Sequence, residues 1–176
     1  NAKPGESSDA FGIRAAGWLE EKILELGADK VAAFIAEPVQ GAGGVIIPPA
    51  TYWPEIQRIV DKYGVLLISD EVYEHMVFDG AEHQSTARFP GLAARAFVVS
   101  SFGKTFHVTG WKVGTVAAPA YLTAEFRKVH QFNVFTVNTP MQYGLAEYLK
   151  DPAPYLQLPA FYQAKRDLFR EGLEGS

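Results

Sequence analysis

The stretch VVSSFGKTFHVTGWKVG, residues 98–114, passes from an apolar run into hydroxyls, glycines and two lysines. The apolar run predicts a strand that is buried on both faces, because apolar and polar residues do not alternate in it. Lys104 follows the end of this strand, where an ammonium group is costly to desolvate. The position favours an amine with a chemical role, and the alternative is a lysine that is simply solvated at the surface.

Helix-like and strand-like segments alternate along the chain. Short apolar runs predict strands at residues 31–37, 65–69, 96–101 and 113–119. Amphipathic patterns predict a first helix that runs to Leu26, with Ser8 or Asp9 as a possible N-cap, and a second helix in residues 50–64 that ends at Gly64. Further helices are predicted near residues 121–132, 139–149 and 155–171. Such alternation predicts an α/β domain with a mostly parallel sheet and helices on both of its faces.

Two of the predicted helices have a defined apolar face. On the first helix the face consists of Trp18, Leu19, Ile23 and Leu26, and Gly27 follows as a stop signal. On the second helix it consists of Trp53, Ile56, Val60 and Tyr63, and Gly64 follows. We expect both faces to be buried in the domain core.

The composition is that of one soluble globular domain. The chain has 176 residues, of which 48% are hydrophobic and 20% are charged, and this is enough to bury a core. The net charge of −4 and the scattered basic residues argue against a nucleic-acid partner, and no apolar run is long enough to span a membrane. The lack of cysteine excludes disulfides and agrees with a reducing compartment, so we expect a cytoplasmic protein. The first residues lack a starting Met and a signal pattern, which suggests a chain that begins within a longer protein.

Polar residues follow three of the predicted strands. Glu37 follows the first, residues 70–73 (DEVY) follow the second, and residues 101–104 (SFGK) follow the third. Because ligands bind beyond the carboxyl ends of parallel strands, we expect Asp70 and Lys104 to face one crevice. Each residue alone also has a simpler explanation, since a single Asp after a strand is often a cap or turn residue and a Glu–Pro pair often forms a turn.

The motifs SDEVY, FGKTFHVTGWKVG and RKVHQFNVFTVNTP, from about residue 69 onwards, resemble the pyridoxal-phosphate-dependent aminotransferases of fold type I. Within that fold type they are similar to the class I/II branch and to its kynurenine or methionine aminotransferase-like group. Residues 1–72 resemble the class III, omega-aminotransferase branch, through GADKVAAFIAEPVQGAGGVIIPPATYWPEIQRIVDKYGVLLISDEV. The two resemblances meet at SDEV, a motif that both branches carry.

The resemblance implies pyridoxal 5'-phosphate as the cofactor and a role for five residues. Lys104 is implied to form the Schiff base with the cofactor and later to move the proton at the substrate α-carbon. Asp70 is implied to keep the pyridine nitrogen protonated, and Tyr73 to donate a hydrogen bond to the phenolic oxygen of the ring. Ser101 and Lys112 are implied as phosphate contacts, and Lys112 stands where many class I members have an arginine.

Each resemblance covers only part of the chain. Class I/II proteins have an Asn–Pro-rich turn where this chain has EPVQGAGG, and class III proteins have a glycine-rich run where this chain has YEHMVFDGAEHQST. The family's upstream phosphate-cradling segments and its small domain have no counterpart. We therefore expect a hybrid fragment, in which residues 1–176 form part of a cofactor-binding large domain. Its class III-like part is residues 1–72, and its class I/II-like part is residues 73–176.

Three functions are compatible with this resemblance. The first is an aminotransferase that moves an amino group between an amino acid or amine and a 2-oxo acid. The second is a β-lyase of the same fold, and the third is a catalytically silent hybrid that keeps only the fold. We expect a homodimer in the complete protein and, without the partner subunit, exposed apolar surface. We expect no metal site, because the histidines lack paired ligand spacing; they are His75, His83, His107 and His130.

Overall fold

The computed structural model describes residues 1–174, which form helices and strands in alternation. Its helices are α1 (Ser8–Leu26), α2 (Tyr52–Tyr63), α3 (Pro90–Ala93), α4 (Phe102–Thr105), α5 (Ala120–Asn133), α6 (Thr139–Tyr148), α7 (Ala153–Leu156) and α8 (Leu158–Glu174). Its strands are β1 (Ala33–Ala36), β2 (Leu66–Asp70), β3 (Ala96–Ser101) and β4 (Gly114–Ala117), and short 3-10 turns lie at Ala28–Lys30, Thr86–Arg88 and Thr109–Trp111. The last two residues of the predicted domain, 175 and 176, lie outside the described residues.

The four strands form one sheet in the order β1–β2–β3–β4. β1 pairs in parallel with β2, and β2 pairs in parallel with β3, as the α/β prediction requires. β4 runs antiparallel to β3. The reversal arises because the chain turns back at the end of β3, where Phe102 N donates a hydrogen bond to Val113 O at 3.2 Å. The predicted α/β fold is confirmed, with one reversed edge strand added to it.

Helices α1 and α2 cover one face of the sheet. The buried cluster on this face consists of Ala16, Ile23, Trp53, Ile56, Ile59, Val60, Val65, Leu67, Leu92 and Ala96. The predicted inner face of α2 is confirmed, because Trp53, Ile56 and Val60 are buried and Tyr63 packs against the cluster.

The predicted inner face of α1 is only half right. Ile23 is buried, but Trp18 and Leu26 are each 47% exposed. α1 instead approaches its neighbours through small residues: a Cβ added at Gly12 would lie 2.9 Å from the Pro49 side chain. The predicted N-cap, Ser8 or Asp9, was wrong, since the helix begins at Ser8 and its N-cap is Ser7, whose Oγ accepts a hydrogen bond from Ala10 N.

The second face of the sheet is covered by α5 only in part. The ring of Phe126 on α5 lies 6.1 Å from the ring of Phe97 on β3. On the edge strand β1, the side chain of Ile35 is left uncovered and the residue is 67% exposed. Apolar side chains are also exposed at the end of α5, where Phe132 is 88% and Phe135 is 78% exposed. The expected exposed apolar surface is therefore present in this chain.

Candidate functional site

The predicted site residues lie at the edge of the sheet that is formed by the carboxyl ends of β2 and β3. Asp70 is the last residue of β2 and pairs with Val99, and Ser101 is the last residue of β3 and pairs with Gly114. Because side chains alternate between the faces of a sheet, Asp70, Val99 and Ser101 lie on the same face. β4 is antiparallel, so its first residue lies at this same edge and brings the preceding Lys112 close to it.

Lys104 lies in α4, the single helical turn that follows β3. Ser101 caps this helix, because its Oγ accepts a hydrogen bond from Gly103 N at 3.0 Å. Thr109 Oγ1 donates to Gly103 O at 3.1 Å and ties the following loop to the helix. A Cβ added at Gly103 would lie 2.9 Å from Thr109 Cα, so this close backbone approach requires glycine. The sequence thus places Lys104 on a tightly closed turn beside the end of β3.

Lys112 is held in an uncommon backbone conformation. It ends the 3-10 turn Thr109–Trp111 in the left-handed region, with φ of 56° and ψ of 44°. Both Lys112 and Lys104 are exposed, and within residues 1–174 neither ammonium group forms an ion pair with a carboxylate. Two uncompensated positive charges at one edge of a sheet favour an anionic ligand there.

Tyr73 packs against the turn that follows β1. A Cβ added at Gly41 of this turn would lie 2.8 Å from Tyr73 Oη. Glu37 Oε2 accepts a hydrogen bond from Gly41 N at 3.1 Å, and Gln40 pairs with Ile46 across the turn. The carboxylate of Glu37 therefore stabilises a turn, which agrees with the simpler of its two interpretations. Tyr73 is half-buried beneath this turn.

The five predicted site residues share an edge without binding one another. Within residues 1–174, no hydrogen bond or ion pair joins any two of their side chains. Asp70, Tyr73 and Ser101 are half-buried, whereas the two lysines are exposed. The edge presents a carboxylate, a phenol, a hydroxyl and two amines whose polar atoms are available to a ligand.

Glu71, next to Asp70, is almost completely buried, and its sequence position alone predicts no role for it. Its side chain is 5% exposed. Oε1 accepts hydrogen bonds from Ser69 Oγ at 2.8 Å, Thr86 N at 2.9 Å and Thr86 Oγ1 at 3.0 Å. Oε2 lies 2.9 Å from His83 Nε2, which donates because a carboxylate can only accept.

The hydrogen bonds around Glu71 keep its carboxyl group ionised. Burial is the largest single influence and would raise the pKa. The hydrogen bonds from His83, Thr86 and Ser69 outweigh it and hold the pKa of Glu71 at about 2. A signal for this cluster was present in the sequence, since Leu67, Ser69 and Glu71 continue one alternating series on the buried face.

The other histidines make ring contacts or hydrogen bonds that do not resemble a metal site. His75 contacts the ring of Tyr155, His107 Nε2 lies 3.2 Å from Tyr162 Oη, and His130 contacts Phe126. In the described part of the chain, no three His, Cys, Asp or Glu side chains are grouped so that they could hold a metal ion. Likewise, no helix within residues 1–174 is both long and apolar enough to cross a membrane.

The chain belongs to the class I and II aminotransferase family, whose model matches residues 5–176. It is 47% identical over 135 residues to the methionine aminotransferase of Escherichia coli (strain K12), a match that covers 73% of this chain and 35% of that protein. It is 41% identical over 124 residues to the kynurenine–oxoglutarate transaminase of Dictyostelium discoideum, covering 68% of this chain and 28% of that protein. It is also 65% identical over 66 residues to the putrescine–pyruvate aminotransferase of Pseudomonas aeruginosa, a match that covers 38% of this chain and 14% of that protein.

Solved structures show the same two similarities. The structure of YbdL from Escherichia coli, described as having a methionine aminotransferase function, superimposes with a TM-score of 0.76 at 40% identity, covering 89% of this chain and 41% of that one. An omega transaminase from Pseudomonas jessenii superimposes with a TM-score of 0.50 at 40% identity, and the match covers 61% of this chain and 23% of that one. The resemblance to both aminotransferase branches and the fold type are therefore confirmed. The chain spans about a third of the length of the methionine aminotransferase and less of the other two proteins.

Proposed function

We propose that this chain is the cofactor-binding part of a pyridoxal-phosphate-dependent aminotransferase. The observation that carries the proposal is the placement of Asp70, Ser101 and Lys104 at one edge of the sheet, in a chain that belongs to the aminotransferase family. The relatives found are named as aminotransferases, which favours amino transfer over a β-lyase reaction.

The donors at this edge suit pyridoxal phosphate chemically. Ser101 Oγ already accepts a hydrogen bond from Gly103 N, so its hydroxyl hydrogen remains free to donate to a phosphate oxygen. Lys112 adds a positive charge that has no carboxylate partner in the described residues. Asp70 offers a half-buried carboxylate on the same face as Ser101, which suits a protonated ring nitrogen.

The proposed roles follow from the atoms each residue offers. When bound, pyridoxal phosphate supplies an aldehyde that condenses with amines and a protonated ring that accepts electrons. Lys104 Nζ binds the cofactor covalently and, once free, accepts and returns the proton at the α-carbon of the substrate. Asp70 holds the proton on the ring nitrogen, and Tyr73 Oη donates to the phenolic oxygen of the ring.

The proposal extends to the organisation of the complete protein. Residues 1–72 would derive from a class III-like large domain and residues 73–176 from a class I/II-like one. The chain is 65% identical to a putrescine–pyruvate aminotransferase over 66 residues and has a longer match, over 135 residues, to a methionine aminotransferase, which supports an origin from two branches. The exposed rings of Phe132 and Phe135 support a homodimer in the complete protein, and the lack of cysteine supports a cytoplasmic location.

Transfer of a labelled nitrogen tests this function directly. The protein is incubated with pyridoxal phosphate, pyruvate and a ¹⁵N-labelled donor, namely methionine, kynurenine or putrescine. Mass spectrometry then measures ¹⁵N-alanine. We expect labelled alanine with at least one donor and a loss of at least about a hundredfold in Lys104→Ala.

Lys128→Ala is the matched control, because Lys128 is an exposed lysine on α5 that pairs with Glu125. The proposal is refuted if no donor yields labelled alanine, or if both lysine variants behave alike. Release of pyruvate from a cysteine conjugate, without any ¹⁵N transfer, would identify a β-lyase instead.

A further inference from the structure

Glu71 lies directly after Asp70, with its side chain on the opposite side of the sheet. Asp70 lies on the face that carries Ser101, whereas Glu71 follows Ser69 onto the buried face. Glu71 N donates a hydrogen bond to Val99 O at 2.8 Å, so the pairing of β2 with β3 continues one residue past the end of β2. The backbone between Asp70 and Glu71 is therefore held in place by its pairing with β3.

The Glu71 carboxylate joins three separate segments of the chain. Ser69 belongs to β2, His83 to the loop that follows it, and Thr86 to the 3-10 turn that ends this loop. Tyr73 lies in the same loop, a few residues after Glu71. One buried carboxylate thus joins the two ends of segment 71–86 to each other and to the end of β2.

A second tie on this loop is exposed to solvent and is weaker. Both carboxylate oxygens of Asp79 accept hydrogen bonds from Arg166 on α8, each at 2.7 Å, but the side chain of Asp79 is 68% exposed. Exposed ion pairs contribute little because water and salt screen them. Glu74, next to Tyr73, accepts a hydrogen bond from Ser100 Oγ of β3 at 2.5 Å in a half-buried position. Glu71 is the most deeply buried of the three loop residues that make these contacts.

We propose that Glu71 is a positioning residue for the cofactor site, which acts by fixing the direction of Asp70 and the loop that carries Tyr73. This inference rests on the proposed function, because it assumes that both residues contact pyridoxal phosphate. Packing alone does not explain the choice of a carboxylate, since an apolar residue of similar size stabilises a buried position at least as well. A carboxylate that accepts four hydrogen bonds fixes an orientation, which an apolar side chain cannot do.

The experiment compares Glu71→Gln with Glu82→Gln in the whole protein. Gln keeps the shape of the Glu71 side chain but removes its charge, and Glu82 is a glutamate of the same loop whose side chain is 73% exposed. Circular dichroism first confirms that each variant is folded at the assay temperature. The measured quantities are the apparent Kd for pyridoxal phosphate, the pH midpoint of the visible absorbance of the bound cofactor, and hydrogen exchange of segment 71–86 without cofactor.

In Glu71→Gln we expect a Kd raised about tenfold, a shifted pH midpoint and faster exchange across the segment. Glu82→Gln is expected to match the wild type in all three. If Glu71→Gln does not fold, Thr86→Val replaces it, because it removes one donor to Glu71 and keeps the backbone donor; its expected rise in Kd is about threefold.

A folded Glu71→Gln variant with the wild-type Kd and pH midpoint would overturn the inference and leave the proposed function intact. A purely structural role for Glu71 would give faster exchange and lower stability with an unchanged pH midpoint, which also overturns the inference. Failure of the wild type to bind pyridoxal phosphate would instead overturn the proposed function, and the inference with it.

Discussion

Protonation of Glu71 is expected to destabilise the fold in acid. The pKa of this group is about 2 in the folded protein against an ordinary value of 4.5. Because the folded-state pKa is the lower of the two, the carboxylate contributes stability that is fully present well above pH 4.5. That contribution is lost as the pH falls through the folded-state value of about 2.

The size of the effect follows from the difference between the two pKa values. One pKa unit corresponds to 1.36 kcal/mol, so Glu71 contributes about 3 kcal/mol to the free energy of unfolding at pH 7. At pH 3 the unfolded-state group is almost fully protonated and the folded-state group is still largely ionised. About 1 kcal/mol then remains, and almost nothing remains below pH 2.

Urea unfolding of the wild type and Glu71→Gln at pH 7, 5, 4 and 3 measures this contribution. We expect the difference in unfolding free energy between the wild type and Glu71→Gln to decrease from about 3 kcal/mol at pH 7 to about 1 kcal/mol at pH 3. Glu6 and Glu20 also have pKa values lowered to about 2, by hydrogen bonds from Arg14 and Lys62, but both proteins share them, so they cancel in the difference. A gap that does not change with pH would refute the reasoning.

Three further changes test the packing of the fold and its open surfaces. Gly103→Ala places a methyl group against the backbone of the following loop and is expected to cost about 1–3 kcal/mol in urea unfolding, whereas Gly110→Ala enters open space and is expected to be tolerated. Leu67→Ala empties a fully buried position and is expected to cost about 2–5 kcal/mol in the same assay. Phe132→Ser combined with Phe135→Ser is expected to shift the protein towards the monomer in size-exclusion chromatography, and a clean wild-type monomer would contradict this.

The sequence contained enough information to predict the strands and their order of appearance. β3 spans residues 96–101 as predicted, because its apolar run is uninterrupted and flanked by clear stops. The direction of β4 was not predictable, since an apolar run carries no information about whether the chain re-enters the sheet in parallel. The outward position of Trp18 also escaped prediction, because the periodicity of a helix does not reveal how closely a neighbouring helix approaches it.

The candidate site was predictable as far as it depends on strand ends. Asp70, Ser101 and Lys104 follow apolar runs, so their shared edge followed from the expected topology. Glu71 and His83 were missed because the alternation of Leu67, Ser69 and Glu71 indicates a shared buried face but does not show which residues of the following loop contact the buried carboxylate. Whether the side chains of the site contact one another also depends on the ligand, so the sequence could not settle it.

Borohydride trapping of the cofactor tests the central claim most directly. The protein is mixed with pyridoxal phosphate, reduced, digested and mapped by mass spectrometry beside Lys104→Ala. Label confined to Lys104 and lost in the variant is the result that we predict, because this lysine lies beside Asp70 and Ser101 at the edge of the sheet. Label spread over surface lysines such as Lys128, and unchanged in Lys104→Ala, would contradict the account.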